Sequence, residues 1–80
     1  MKGVNWVDFH PFENYFVTCS DDKLIKIYHF NNSMAIEQEI LYGHTGNVSC
    51  VKFSKCGNFI YSNSEDYTFR IWDKHGKCLQ

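Results

Sequence analysis

Neither sign of charge is in excess: Lys and Arg number 8, Asp and Glu 9, for a formal net charge of −1. No overall field therefore draws the chain to nucleic acid or to a membrane surface. No apolar run exceeds a few residues, far short of the roughly 20 that a membrane helix needs. No apolar signal core follows Met1, since Lys2, Gly3, Val4 and Asn5 come next. These gaps point to a soluble, intracellular protein, or to a piece of a longer chain without its leader. No Cys-x-x-Cys pair occurs: the closest cysteines, Cys50 and Cys56, have five residues between them. His10, His29, His44 and His75 show no paired ligand spacing, so neither zinc nor another metal is expected. Cys19, Cys50, Cys56 and Cys78 are even in number but form no dense framework. They read as reduced thiols, with Cys19 and Cys50 acting as small apolar residues inside strands. No cofactor motif is present.

What the chain does contain is 44% apolar and 18% aromatic residues, too rich for a disordered segment. At 80 residues it is at most one small domain. A domain of that size buries only about 60% of its unfolded surface, so its stability margin is thin.

The chain is also written twice. A shift of 44 residues lays Val4 on Val48, Val7 on Val51, Phe9 on Phe53 and Asn14 on Asn58. It lays Ser20 on Ser64, Asp22 on Asp66 and Ile27 on Ile71, with Lys26 on Arg70 and Tyr28 on Trp72 as like-for-like pairs. A period of this length indicates a β-propeller with one four-stranded blade per repeat. Short β-branched and aromatic runs agree: Val4–His10, Tyr15–Ser20, Leu24–Phe30, Val48–Ser54, Phe59–Ser64 and Thr68–Asp73. Turn signals at Asp21-Asp22, Lys55–Asn58 and Glu65-Asp66 separate them, and Asn31-Asn32-Ser33 makes a longer link. Ala35–Tyr42 reads as a further strand, although Met34–Leu41 also fits a short helix. The expectation is an all-β protein: two consecutive four-stranded antiparallel blades, residues 1–42 and 43–80, the first without its N-terminal strand and the second cut short. Trp6, Phe9, Phe53, Ile27 and Ile71 are expected in the core, and Lys26 and Arg70 in solvent. Lys74, His75, Gly76 and Lys77 read as a polar turn.

Gly43-His44, then Asp66, then Trp72-Asp73 resembles the signature of the WD-repeat family. The first copy is the weaker match, with Asp22 retained and Tyr28-His29 where Trp-Asp would stand. The resemblance implies one buried hydrogen-bond network per blade. Its carriers are His44, Asp66, Ser62 (or Ser64) and Trp72, with Thr18 and Asp22 in the first blade. The residue matching His44 would fall just before Met1. Two blades do not close a ring, since propellers usually need 4–8. The expectation is thus two blades of an incomplete fragment. Made alone, it should expose faces and edges that neighbouring blades cover, and self-associate.

Ser, His and Asp together also fit a hydrolase triad. Against this, Ser62 and Ser64 lie within a strand and no Gly-x-Ser-x-Gly frames them. No enzymatic activity is expected. Within the family, Gly3-Val4-Asn5-Trp6, Phe9-His10-Pro11, Asn47-Val48-Ser49-Cys50 and Ser62-Asn63-Ser64-Glu65-Asp66 resemble blades of the coatomer α subunits, with β′ subunits the nearest rival. That resemblance implies a non-enzymatic scaffold in the coat of Golgi-to-ER vesicles, cytoplasmic and only peripherally at the membrane. Its partners would be other blades, coat subunits and dilysine cargo tails. Asp21 and Glu65, each directly before the Asp of its repeat, are the candidates to face such a basic peptide. The alternative in the same family is an adaptor of a signalling or RNA-processing complex.

Overall fold

Alternation of side chains sets the elements. Tyr15–Ser20 puts Val17 and Cys19 on one face and Phe16, Thr18 and Ser20 on the other, and it forms a strand over that span. The computed structural model describes residues 4–32, 34–73 and 75–79. Gly3 of the first motif, Ser33 of the long link and Lys74 of the expected polar turn lie outside the described residues. Seven strands are present: β1 (Val4–Phe9), β2 (Tyr15–Ser20), β3 (Ile25–Asn31), β4 (Met34–Leu41), β5 (Val48–Phe53), β6 (Phe59–Ser64) and β7 (Phe69–Asp73). β1 to β4 pair in order as one four-stranded sheet, and β5 to β7 as a three-stranded sheet. Every pairing is antiparallel. Beyond β7, an isolated bridge joins Cys78 to Trp72. Among the described residues there is no helix, and so none long and apolar enough to cross a membrane.

Met34–Leu41, open to both readings in the sequence, is a strand. It lies along the free edge of β3, with Ile25 opposite Leu41 and Asn31 opposite Met34. Its burial is one-ended, with Leu41 buried and residues 34–39 exposed, as suits an outer strand. Lys26 on β3, expected in solvent, is half-buried, and lies 3.5 Å from the exposed Glu37 on β4, a pair of small energetic weight.

The core lies between the sheets. Val17, Cys19, Ile25, Ile27 and Leu41 from the first pack with Val48, Val51, Ile60 and Trp72 from the second. Fully burying such side chains stabilises by about 1.5–3 kcal/mol each. Tyr15 and Phe53 close the margin of this cluster. Ile27 and Phe53 are thus where the sequence placed them. Trp6 and Phe9 are not, being 45% and 61% exposed. Phe9 pairs with Phe16 on the face of β1 turned away from the second sheet, and Trp6, beside Cys19 on the other face, stands at the open edge of its strand.

The repeat is visible in backbone detail. β1 has a register shift between Val4 and Trp6, and β5 has one between Val48 and Cys50, the corresponding place. Lys23 and Tyr67, also corresponding, both adopt left-handed backbone at φ 71° and 67°.

Polar side chains fasten the sheets where no ladder joins them. Asn5 Nδ2 donates to the Val48 carbonyl at 3.0 Å, and the Phe53 amide donates to Asp8 Oδ2 at 2.9 Å. His10 adds a third tie. Its Nδ1 accepts from the amides of Phe12 and Glu13 at 3.1 and 3.0 Å. Nε2 must therefore carry the proton, which it donates to the Gly57 carbonyl at 3.1 Å. Gly57 has φ 79°, and a Cβ there would come within 2.2 Å of His10 Nε2, so both the turn and the contact require glycine.

Candidate functional site

The β6–β7 turn is built around one carboxylate. Asp66 Oδ1 accepts from the Thr68 amide at 2.9 Å and from the Thr68 hydroxyl. This short loop holds Tyr67 in its left-handed conformation. Oδ2 accepts from the Thr45 amide at 2.9 Å and faces His44 Nδ1 at 3.0 Å. Gly46 lets residues 43–47 lie directly on the turn, because a Cβ there would stand 2.7 Å from the Asp66 amide. The Asp66 carboxyl is held well below the usual carboxylate range. The Thr68 hydroxyl contributes most, followed by the Thr45 amide, the His44 imidazole and the Thr68 amide.

From Asp66 a directed chain runs into the core. The carboxylate only accepts, so His44 Nδ1–H donates to it. His44 Nε2 then accepts from the Ser62 hydroxyl at 2.7 Å, and Ser62 Oγ accepts from the Trp72 indole N–H at 2.9 Å. All four side chains expected together in the second unit meet here. Ser64, the other candidate for the serine place, is elsewhere: its hydroxyl donates to the Asn47 carbonyl at 3.0 Å and accepts from the Asp66 amide at 3.1 Å. Thr68 and Thr45 also hold Asp66, and the sequence reading did not single them out. The signal for Thr68 was its place two residues after a turn Asp.

The first unit repeats the turn but not the chain. Asp22 Oδ1 accepts from the Leu24 amide at 3.0 Å and from the Ser20 hydroxyl, and the Ser20 contact chiefly lowers the Asp22 pKa. Among the described residues, no hydrogen bond joins Thr18 to Asp22 or Tyr28. Tyr28 instead stacks on Phe16, with centroids 5.0 Å apart and planes within 11°. The ring keeps its place without an indole donor.

This arrangement does not expose a nucleophile. Ser62 is 2% exposed and His44 7%, and the Trp72 indole sits on the serine oxygen. An acyl carbon has no approach to that hydroxyl. The chain of donors stiffens the interior and fixes the turn that carries Glu65.

Glu65 itself is exposed, with its amide bonded to the Asn47 carbonyl at 2.9 Å. Asp21 is half-buried and accepts from Asn5 Nδ2 at 2.7 Å, so it belongs in part to the tie between β1 and β5. Arg70 is not the solvated residue expected. It is half-buried, its Nη1 lies 3.7 Å from Cys78 Sγ, and its buried Nε has no hydrogen-bond partner among the described residues. Arg70 lies opposite Ser62 in the ladder, on the face that carries Trp72, which explains its loss of solvent. His75 and Lys77 form the expected polar turn, their amides both donating to Asp73 Oδ1 at 2.9 Å.

The WD40 family profile, described as "WD domain, G-beta repeat", matches residues 1–29 and 36–73. The chain belongs to the WD40 repeat family. Its two sheets are WD40 blades, one with four strands and one with three. It is similar to a probable coatomer subunit beta' of Schizosaccharomyces pombe, 40% identical over 73 residues, covering 89% of this chain and 9% of that protein. It is 37% identical over 73 residues to the U4/U6 small nuclear ribonucleoprotein PRP4 of Saccharomyces cerevisiae, covering 88% of this chain and 16% of that protein. It is 35% identical over 69 residues to the human serine-threonine kinase receptor-associated protein, covering 86% and 19% respectively. The WD40 chain thus spans less than a fifth of the length of these curated relatives.

Proposed function

We propose that this chain is part of a non-enzymatic protein-interaction scaffold of the coatomer kind, whose blade turns present acid to basic peptide tails. The observation that carries the reading is the immobilised Asp66 turn. Four donors converge on one carboxylate, and the next residue toward the N-terminus, Glu65, stands in solvent. A carboxylate on a rigid turn attracts an ammonium group with little ordering cost of its own. Asp21 occupies the same place in the first unit, with Oδ1 engaged by Asn5.

Similarity to a coatomer beta' subunit supports a vesicle coat as the setting. The wording around Trp6 and Ser62-Asn63-Ser64-Glu65-Asp66 is the argument for an α rather than a β′ subunit. On this reading, residues 1–42 and 43–80 are successive units. Their partners are further blades, other coat subunits and dilysine-tailed cargo, and the location is the cytoplasmic surface of Golgi and vesicle membranes. Calorimetric titration with a peptide ending in two lysines, against the same peptide ending in two alanines, tests it. Preference for lysine that weakens about tenfold in a combined Asp21→Lys, Glu65→Lys variant supports the reading. Equal binding of both peptides overturns it.

A second reading rests on the ribonucleoprotein and receptor-associated relatives, which match at only slightly lower identity. In it the scaffold is an adaptor of a splicing or signalling complex. Proximity labelling in cells separates the two by the class of neighbour recovered, coat subunits or nuclear and signalling proteins.

A further inference from the structure

A cavity of about 180 Å³ lies within the junction between the two units, toward the ends of the strands away from the Asp66 turn. Both units build it. Glu13 enters from the β1–β2 loop, Glu39 from β4, Phe53 from the end of β5 and His75 from the turn after β7. Cofactor sites usually run to roughly 300–1,000 Å³, so this smaller space suits a single side chain.

Its aromatic wall is fixed. The His10 ring meets Phe53 edge to face at 5.0 Å between centroids and lies 6.2 Å from Tyr15. Both His10 nitrogens are engaged, by the Phe12 and Glu13 amides and the Gly57 carbonyl, and its side chain is 5% exposed.

Two carboxylates stand at these rings with no cation of the protein against them. Glu13 Oε1 lies 3.6 Å from His10 Nε2, but the one proton on that nitrogen goes to the Gly57 carbonyl and the imidazole is uncharged. The Glu39 carboxylate enters no ion pair among the described residues. It stands across from Ile27, two residues before Leu41, on the face of β4 that the core occupies. An apolar side chain would extend the core at that place; an acid does not. Gly76 of the second unit comes up to it, since a Cβ there would be 3.7 Å from Glu39 Oε2.

The strand is also adjusted here. Ile27 pairs with Glu39 and Tyr28 with Glu37, which leaves Gln38 as an additional residue in β4. Consecutive residues of a regular strand face opposite sides, yet Gln38 and Glu39 both line the cavity, as a bulge allows. Nor does the repeat require these groups. His10 and Glu13 stand where the second unit has Ser54 and Gly57, and only the ring of Tyr15 is kept, as Phe59.

We propose that this cavity binds the guanidinium of an arginine carried by a partner protein. The planar cation lies against the rings, and its N–H groups reach the carboxylates of Glu13 and Glu39 and the side-chain carbonyl of Gln38. An ammonium has fewer donors and holds its water more strongly, so it gains less among rings. A metal ion fits worse: His10 has no free lone pair, and among the described residues no three ligating side chains converge. Glu13 and Glu65 stand in turns at opposite ends of the strands, so this site does not rest on peptide binding at the Glu65 turn.

The test is ligand-observed nuclear magnetic resonance on the full-length protein. The probe is a blocked pentapeptide with arginine between glycines, titrated beside its lysine and citrulline counterparts; citrulline keeps the shape and lacks the charge. The arginine peptide is expected to bind, and the citrulline peptide about tenfold more weakly or less. The lysine peptide should fall between them. Glu13→Gln and Glu39→Gln should each weaken arginine binding about tenfold with the melting temperature unchanged, because neither carboxylate has a cation to lose. The combined Asp21→Lys, Glu65→Lys variant should bind the arginine peptide as the parent does, which separates this site from the acidic turns. An arginine peptide that does not bind overturns the proposal. So do citrulline or lysine peptides that bind equally well, glutamine variants that keep full affinity, or loss of arginine binding in the Asp21→Lys, Glu65→Lys variant.

Discussion

The Trp72 indole nitrogen lies 2.9 Å from Ser62 Oγ, and the same hydroxyl lies 2.7 Å from His44 Nε2. One small side chain thus joins an indole to an imidazole, accepting from the first and donating to the second. Both of its neighbours are buried with it.

Ser62→Ala leaves the indole N–H and the imidazole nitrogen buried without partners. A loss of about 1–3 kcal/mol in folding free energy is expected. Urea unfolding followed by tryptophan fluorescence measures it. A loss within the error of a surface substitution would show that the hydroxyl is not in the chain of donors.

Acid should act through Asp66. Its carboxyl titrates below the ordinary range in the fold and near about 3.9 when unfolded. The unfolded chain therefore binds the proton first. The stability that Asp66 confers is fully present above its unfolded value and is lost as pH falls from there toward the folded one. Asp22 and Asp73, also lowered, add in the same sense, the first chiefly through Ser20 and the second chiefly through the Lys77 amide. The urea midpoint should fall between about pH 5 and pH 2, and Asp66→Asn should flatten part of that slope.

Tyr67 holds left-handed backbone at φ 67° while its side chain is 100% exposed. Nothing is lost by removing that ring, and the left-handed conformation costs a non-glycine residue about 1–2 kcal/mol. Tyr67→Gly should raise the melting temperature, with a net gain of about 0.5–1 kcal/mol after the greater freedom of glycine in the unfolded chain. A lower melting temperature would mean that the ring has a partner.

Gly57→Ala is expected to do the opposite. The methyl group meets the His10 ring and the turn is left-handed, so both the turn and the tie between the sheets suffer. A loss exceeding about 1 kcal/mol should appear in urea unfolding. Hydrogen exchange should quicken at the Phe12 and Glu13 amides, whose acceptor is the displaced imidazole.

Thiol chemistry should separate the cysteines. Burial pushes the Cys19 thiol up to about 11, with Cys50 adding to the effect. Cys56 is exposed and its thiol is lowered, chiefly by the Ser54 hydroxyl. Iodoacetamide should label Cys56 early, and Cys19 only on unfolding. Peptide mass spectrometry gives the order.

The sequence carried the strands well where local chemistry is enough. Tyr15–Ser20 and Phe59–Ser64 match residue for residue because β-branched and aromatic residues alternate there between turn-formers. Ala35–Tyr42 read as a strand with a short helix over Met34–Leu41 left beside it, because a segment exposed over residues 34–39 offers little period to separate the two. The free edge of β3 decides it, and that edge exists only in the folded sheet. Asn5, Asp8 and His10 went unnoticed as ties for a similar reason. Each reaches more than 40 residues along the chain to a backbone group, and backbone groups leave no mark in a sequence. Ser62 and Ser64 lie on one face of one strand, and only distance to His44 and Trp72 tells them apart.

The irregularity between Val4 and Trp6 places an additional residue, Asn5, outside the ladder, where its amide is free to hold β5. With that residue present, Val4 and Trp6 stand two apart yet face opposite sides, Val4 across from Ser20 and Trp6 across from Cys19. Ser49 keeps the same count in the second unit, between Val48 and Cys50. Deleting Asn5 would make the strand even and leave Val4 on its present side, since neighbours in a regular strand alternate. The pairing would close over the gap, and what the shorter chain forfeits is the grip on the Val48 carbonyl.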